Sequence, residues 1–533
     1  MPSPSDSFDF ASWPPTLSNG QLEALTLYAT TYALSHGLLY LAPAQRQPTI
    51  PSAAIHAPIS LFPSPVPRAL FDNGRRLQRI YNVLYARIAM DDEFLDEVMG
   101  AEKGVGKVDK FIGELWRGWK RLRDEGLPQP LHLGLFRSDY LLHSLPDKPL
   151  SIKQVEFNTI SVSFGCLSQK VAELHRYLLS QTKYYYSSPY LSPSNFPSNE
   201  TTPGLASGLA EAHKAYGDER SQILFVVQPG ERNVFDQRPL EYELLERYGI
   251  HSIRNTFEEL GNIAHVDPST SALIITRSLD GSPSERIEIS TVYYRSGYVP
   301  HEYPTPKHYT TRFLIESSKA IKCPTISLQL AGGKKVQEVL GRPGVLERFL
   351  ADEAKYGKDV YGPEVISELR DSFMDMWSLD VNEDRVTPDR PSSESGNEEF
   401  GTRLAREGAL GLVLKPQREG GGNNVYKESI PTFLDTLDPE ERQAWIAMEL
   451  IQPPKDFGNY LIRAGSTNSQ SQTPVKTEVV SELGIFGWAL FGGPEKSISE
   501  KEVGWLVRTK GKDSNEGGVA TGFSVLDSLL LVD

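Results

Sequence analysis

The apolar positions of this chain change period along its length. From Gln21 to about Leu122 they recur every three or four residues, and Leu77, Ile80, Leu84 and Ile88 form the stripe of a packed helix. From Leu131 to Ile160 the period falls to two. Leu131, Leu133 and Leu135 alternate; in Ser151 to Ile160, Val155 and Phe157 share one strand face and Glu156 and Asn158 the other. Beyond residue 220 strand and helix patterns follow each other. Ile223 to Val227 reads as a buried strand, and Gln237 to Tyr248 as a helix with Leu240, Leu244 and Leu245 inward. His251 to Ile253, Ala272 to Ile275 and Thr291 to Tyr294 read as further strands. That order predicts an α/β unit with a parallel sheet at about 220–325.

Polar stretches separate these patterns. Residues 1–20, rich in Ser and Pro, read as a loose arm, and Tyr186 to Gly208 as a boundary loop. Pro388 to Phe400 and Ser466 to Thr473 read as solvated insertions. They bracket a glycine-rich stretch, so the segment between them is expected to be a mobile lid.

Composition narrows the class. The chain has 533 residues, too many for one simple core, so two or three structural units are expected. Its formal charge of −14 argues against a general nucleic-acid binder, which needs a basic face. It leaves room for a local cationic pocket. Two cysteines, Cys166 and Cys323, offer no disulfide framework. The N-terminal residues show no basic and apolar leader, and no apolar run approaches the ~20 residues of a membrane helix. A cytoplasmic protein without membrane partners is the expectation.

The richest chemistry lies in Lys415-Pro-Gln-Arg-Glu-Gly-Gly-Gly-Asn-Asn424, directly after the apolar run Gly411 to Leu414. Successive glycines suit a loop that folds closely over a ligand, and their unobstructed N–H groups suit phosphate. Lys415 adds a cation, and Glu419 an oxygen ligand of the kind Mg²⁺ takes beside a nucleotide phosphate. A plain glycine-rich surface turn would read the same way without its flanking Lys and Glu. No Gly-x4-Gly-Lys-Ser/Thr and no strand–Gly-x-Gly-x-x-Gly–helix is present, so neither a Walker A loop nor a Rossmann site is supported.

Other segments add parts. Glu156 and Asn158 are a plausible Mg²⁺ half-site, or a polar strand edge. Arg137, after the Leu131–Leu135 alternation, can take a carboxylate in bidentate fashion, or form an ordinary ion pair. Ser161 to Gly165 is a hydroxyl-rich turn. Lys334 and Lys415 could converge on one phosphate chain. Glu482 sits inside an apolar strand and needs a partner. Arg508-Thr-Lys510 and Glu516-Gly-Gly-Val-Ala520 read as a cationic strand and a second glycine turn. Together these are the parts of an ATP-dependent ligase whose loop shields a carboxyl phosphate from water.

From about Arg137 to Asp533 the sequence resembles the eukaryotic glutathione synthetase family of ATP-grasp ligases. The resemblance rests on Val155 to Ser161, Glu231 to Asn233 with Phe235 to Gln237, Tyr294 to Tyr298 and Gln329 to Lys335. Lys415 to Asn424, Ser481 to Gly487 and Arg508 to Lys510 carry it most strongly. It implies an α/β ATP-grasp fold with a central antiparallel sheet region, an inserted parallel-sheet substrate domain and a mobile lid. The implied division is 1–219 and 481–533 as the two parts of the catalytic core, 220–325 as the substrate domain, 326–390 as core helices and 391–480 as the lid. The implied reaction joins γ-glutamylcysteine to glycine with ATP, through an acyl phosphate, in a homodimer. By motif match Glu156, Asn158 and Glu419 would hold Mg²⁺, with two ions per site. Glu156, Lys334, Lys415, Glu419, Gly420, Gly421, Gly422, Asn423, Asn424, Tyr426, Glu482, Lys510 and Glu516 would contact ATP. Met448, Glu449, Leu450 and Ile451 match the adenine strand. Ile160, Ser161, Val162, Ser163, Glu231, Arg232, Asn233, Gln237, Arg295, Ser296, Gly297, Tyr298, Val519 and Ala520 would contact the peptide or glycine, as would the two catalytic arginines, Arg137 and Arg508. The resemblance leaves β-alanine open as an alternative amine acceptor.

Overall fold

The computed structural model describes residues 8–41, 51–277, 284–380, 400–418, 422–463, 474–493, 497–514, 519 and 524–533. The architecture is mixed α/β, as the change of period predicts. A 13-stranded sheet runs through the molecule. One half is largely antiparallel. Its central strands are Ser151–Asn158, His132–His143, Val475–Phe491, Ser499–Gly511 and Ser524–Asp527, each hydrogen-bonded to the next. The other half is mainly parallel: Ile321–Cys323, Glu285–Tyr294, Gln222–Val226 and Ser252–Asn255 run side by side. Leu273–Arg277 and Ala264–Val266 add antiparallel strands. The expected parallel sheet therefore exists, and Lys322 paired with His132 joins it to the antiparallel half.

Both faces of the antiparallel half are covered. The helix Arg68–Ala89 lies on one face, its stripe of Leu77, Ile80, Leu84 and Ile88 buried in the same core as Leu483 and Ile485. The helices Gly165–Thr182 and Thr201–Tyr216 cover the other, where Phe486 and Trp488 are buried. The Val475–Phe491 strand is thus apolar on both faces for much of its length, as a doubly covered strand must be.

A second, four-stranded sheet holds Met376–Ser378, Trp445–Glu449, Leu412–Pro416 and Val425–Tyr426. It has a small core of its own around Leu414, Ile430, Leu434 and Ala447. The glycine-rich stretch connects two of its strands, and Glu419, Gly420 and Gly421 lie outside the described residues.

Three local expectations need correction. Residues 8–17 are not a loose arm: Phe8, Trp13 and Leu17 are buried. The Ser/Pro composition hid three well-spaced large apolar side chains. Residues 201–208 are helical, not loop, because their Gly and Ser are small enough for the helix to lie close on the sheet. A Cβ on Gly208 would meet the Trp488 ring at 2.8 Å. Leu245 is exposed, while Leu240 and Leu244 face the core as expected. Cys166 and Cys323 are buried free thiols. Among the described residues no helix is long and apolar enough to cross a membrane.

Candidate functional site

The site begins with strand register. Arg137 stands opposite Asn158, and Asp139 opposite Glu156. One strand further on, Gly484 stands opposite Asp139, and Glu482 is paired with Arg508. Residues two apart share a face, so all of these side chains lie on one side of the sheet. The Glu156–Asn158 alternation read from sequence is therefore extended across four strands.

Asp139 is the hub. Its carboxylate is wholly buried and takes the Arg137 guanidinium in bidentate fashion, at 2.5 and 2.7 Å. It also accepts from Asn158 Nδ2 at 3.0 Å and from Arg508 at 3.2 Å. Arg508 in turn pairs with Glu482. Such crowding needs space beside the intervening strand, and glycine supplies it. A Cβ on Gly484 would lie 2.9 Å from Arg137 Cδ and 3.0 Å from Asp139 Oδ1.

Two lysines approach the next acid along. Lys334, at the start of the helix Lys334–Leu340, bonds Glu156 at 3.0 Å. Lys415 reaches in from the second sheet and donates to the Val155 carbonyl at 2.8 Å. Both lysines thus lie close to the Val155–Glu156 stretch. Burial pushes the Glu156 carboxyl up, but Lys334, Lys415 and Arg137 override it and hold it at about 2. Burial works against the charge on Arg508 too, yet Glu482 and Asp139 raise its affinity for the proton.

The donors for a hard cation are of the right chemistry. Glu156 offers carboxylate oxygens, and its side chain is a quarter exposed. Asn158 spends its Nδ2 on Asp139 and the Arg137 carbonyl, so its amide oxygen is the atom left to coordinate. The third expected ligand, Glu419, lies outside the described residues, and among the described residues no three-membered His/Cys/Asp/Glu cluster forms.

The remaining expected residues form a rim on the parallel half. Arg295, at the end of the Glu285–Tyr294 strand, donates to Ser163 Oγ at 2.6 Å and to the Val162 carbonyl. Ser161 Oγ donates to the Tyr294 carbonyl at 3.0 Å, and Ile160 and Val162 are buried beneath. Arg137 joins this loop through the Ser163 carbonyl at 3.2 Å. Glu231 gathers the Asn233 N–H at 2.7 Å and the Gln237 amide at 2.6 Å. Ser296, Gly297 and Tyr298 follow Arg295 around a tight turn. Arg232 faces away from this group, toward Tyr40 and the Leu41 carbonyl. In the second sheet Asn424 bonds Tyr426 at 3.2 Å. Glu449 is raised by burial and by Asp375, and Met448 and Leu450 are held by strand bonding. Ile451 packs at the edge of the main core. Lys510 lies two residues beyond Arg508 on the same strand, and Val519 is buried. Gly422 and Asn423 begin the described part after the loop; Glu516 and Ala520 fall outside it.

Two functional-looking residues were missed. Asp139 drew no expectation; the Arg-x-Asp spacing on a strand, which puts both on one face, was the signal. Asp236 accepts from the Phe164, Cys166 and Leu167 N–H groups at 2.6, 3.0 and 3.3 Å, so it caps the helix that begins at Gly165. Sequence alone gives no sign of a cap supplied from 70 residues away.

A cationic and carboxylate-lined sheet face with two lysines at its edge has the chemistry an ATP-dependent ligase needs, and family membership places the chain in that class. The comparisons agree. The family model for the eukaryotic glutathione synthase ATP-binding domain matches residues 19–531, and the chain belongs to that family. It is 38% identical over 513 residues to glutathione synthetase of Bos taurus, covering 95% of this chain and 96% of that one. It is 38% identical to the Homo sapiens glutathione synthetase over 511 residues, at 95% and 96% coverage. With the glutathione synthetase large chain of Schizosaccharomyces pombe the identity is 37% over 535 residues, at 96% and 98%. A solved glutathione synthetase like-effector from Globodera pallida, in apo form, shares the fold with a TM-score of 0.70. It is 23% identical, with 97% of this chain and 98% of that one covered.

Proposed function

We propose that this chain makes glutathione: it joins γ-glutamylcysteine to glycine and converts ATP to ADP and phosphate. Family membership supports the reaction, and one observation carries the site. Arg137, Asp139, Glu156, Arg508 and Glu482 share one sheet face, with Lys334 and Lys415 entering above it.

In this reading Lys334 and Lys415 bind the phosphate chain, and the strand Met448 to Ile451 lies along the adenine. Glu156, Asn158 and Glu419 would hold Mg²⁺, which would neutralise phosphate charge during transfer. The cysteinyl carboxylate of the peptide attacks the terminal phosphorus of ATP, and ADP leaves. Arg508 and Arg137 orient that carboxylate, using a fork geometry that lysine cannot copy. Glycine's amine then attacks the acyl carbon, loses a proton and expels phosphate. The Ile160–Ser163 loop, Glu231, Gln237 and Arg295 would seat the γ-glutamyl end. Glu482, Lys510, Tyr426 and Glu516 would contact nucleotide, and Val519 and Ala520 the acceptor.

The same reading makes the fold an ATP-grasp. In it 391–480 is the lid, joined to the core through Gly458–Ile462 and the start of the Val475–Phe491 strand, which lie in the large sheet; 220–325 is the substrate domain, and 1–219, 326–390 and 481–533 are the core. The expected cover over the acyl phosphate falls on Gly420 to Gly422, of which Gly420 and Gly421 lie outside the described residues. The protein works in the cytoplasm as a homodimer. Leu27 and Leu34, exposed on one face of the helix Asn19–Ser35, suit a contact with a second copy. Sedimentation of the purified protein checks that state.

The test is substrate dependence. ADP release should need both γ-glutamylcysteine and glycine, and glycine should outcompete β-alanine. ADP formed at full rate without either co-substrate would overturn the ligase reading. A preference for β-alanine would change the acceptor alone.

A further inference from the structure

The turn that follows the Glu285–Tyr294 strand, Arg295 to Tyr298, is held by a residue outside it. A chain leaving a sheet edge exposes N–H groups that no strand takes. Here Gly297 adopts φ +98°, and a Cβ at that position would lie 2.9 Å from the Tyr303 hydroxyl. The Glu302 carboxylate collects the exposed groups. Its Oε2 accepts from the N–H groups of Gly297, Tyr298 and Val299 at 2.8, 2.9 and 3.2 Å. Its Oε1 accepts from the Ser296 hydroxyl and the Gln228 amide, both at 2.8 Å. The same Gln228 amide donates to the Tyr298 hydroxyl at 3.0 Å. On the opposite side, the Gly297 carbonyl accepts from Gln329 Nε2 at 2.8 Å and from the Tyr303 hydroxyl at 3.2 Å.

Successive N–H groups curled around one anion form a nest, and bonds to an ionised acceptor are roughly twice as strong as neutral ones. No capping hydroxyl or amide of the turn itself could satisfy three N–H groups and two side chains at once. We propose that Glu302 is the positioning residue of the peptide-binding turn: it shapes Ser296 to Tyr298 and so fixes where Arg295 and Tyr298 meet the γ-glutamyl end. This rests on the glutathione-forming reading above, in which that turn contacts the peptide.

The role depends on acceptor geometry, so substitutions should rank in a definite order. Glu302→Gln keeps one acceptor oxygen for the three N–H groups and turns its NH2 toward Ser296 Oγ, which can accept, and toward Gln228, whose amide can turn over to present its oxygen to that NH2 and to the Tyr298 hydroxyl. Glu302→Asp keeps the charge but is one methylene short, and Glu302→Ala leaves the N–H groups unmet. The experiment measures KM for γ-glutamylcysteine, KM for ATP and kcat on each purified variant, with thermal melting alongside. Glu302→Ala is expected to raise the peptide KM tenfold or more with ATP KM within twofold. Glu302→Asp should be intermediate and Glu302→Gln within threefold of the parent protein. If Glu302→Ala does not fold, the Asp and Gln pair carries the same test. Peptide KM unchanged in Glu302→Asp, peptide and ATP KM rising together, or Glu302→Gln as damaged as Glu302→Asp would each overturn the assignment. A parent protein that makes no glutathione would instead overturn the functional reading.

Discussion

Two buried charge clusters meet the same sheet, one centred on the helix Pro306–Glu316 and one on the strands themselves, and they are built differently. The first surrounds Arg312 and Glu316, 3.0 Å apart, with side chains 0% and 1% exposed. Glu316 also takes the Ile326 N–H at 3.0 Å, Arg312 lies over the Tyr294 ring at 3.9 Å, and Lys322 donates to the carbonyls of Glu316 and Ser318. The second is the Asp139 cluster. Its hub is equally buried, yet its outer members are open: Arg508, Glu482 and Glu156 have side chains 14%, 20% and 25% exposed. The first cluster is closed and its charges serve one another. The second is closed at the centre and open at the rim, where a substrate carboxylate, a phosphate or a cation can replace a protein partner. Burial of charge alone thus does not mark a site; burial with an open edge does.

If that contrast holds, breaking the first cluster costs stability and breaking the rim of the second costs catalysis. Glu316→Ala leaves a buried guanidinium without its carboxylate and should lose about 3–5 kcal/mol of stability by urea denaturation. The folded fraction should keep its KM values for ATP and peptide. Glu156→Gln removes a charge faced by Lys334 and Lys415. It should lower ligation on the order of 10²–10³-fold, the size of a lost electrostatic contact in a transition state. Its melting temperature should stay within a few degrees of the parent protein's. Arg508→Lys should act on the peptide alone, raising its KM about tenfold and leaving ATP binding near normal, because lysine cannot make the fork. Unchanged peptide kinetics would remove Arg508 from the site.

Much of this was legible in the sequence because it obeys short-range rules. The period-two alternation placed Glu156 and Asn158 on one face, and the helical stripe of Leu77, Ile80, Leu84 and Ile88 was correct residue for residue. What escaped notice depends on distance. Asp139 gains its role from Arg508, 369 positions away, across a strand whose Gly484 makes room. Asp236 caps a helix that begins 71 residues before it. Trp13 and Phe8 looked like parts of a loose arm because Ser and Pro dominate that stretch, but its few apolar residues are large and all find the core. Leu245 fits the helical pattern and yet faces outward, while Leu240 and Leu244 of the same helix are buried.

The smallest expected effect is in pH dependence, and the two clusters should act in different pH windows. Burial lowers the Lys322 ammonium to about 8, against 10.5 when free. Between those values the unfolded chain binds more protons, so this lysine makes stability rise with pH over 8 to 10.5. Lys322→Met should flatten that rise in denaturation curves taken at pH 8, 9 and 10. Glu156, held at about 2, is a depressed acid: its contribution is fully present above its ordinary value of 4.5 and is lost as pH falls toward 2. Glu156→Gln should therefore change the acid limb below pH 4.5 and leave the alkaline limb untouched.

The most direct measurement is a paired assay of ADP and glutathione on the parent protein and on Glu156→Gln, with γ-glutamylcysteine and glycine supplied and melting curves as a control. The account predicts one glutathione per ADP in the parent, and a large fall in both products in a variant that melts like the parent. ADP without glutathione in the parent, or full ligation by the folded Glu156→Gln variant, would contradict it.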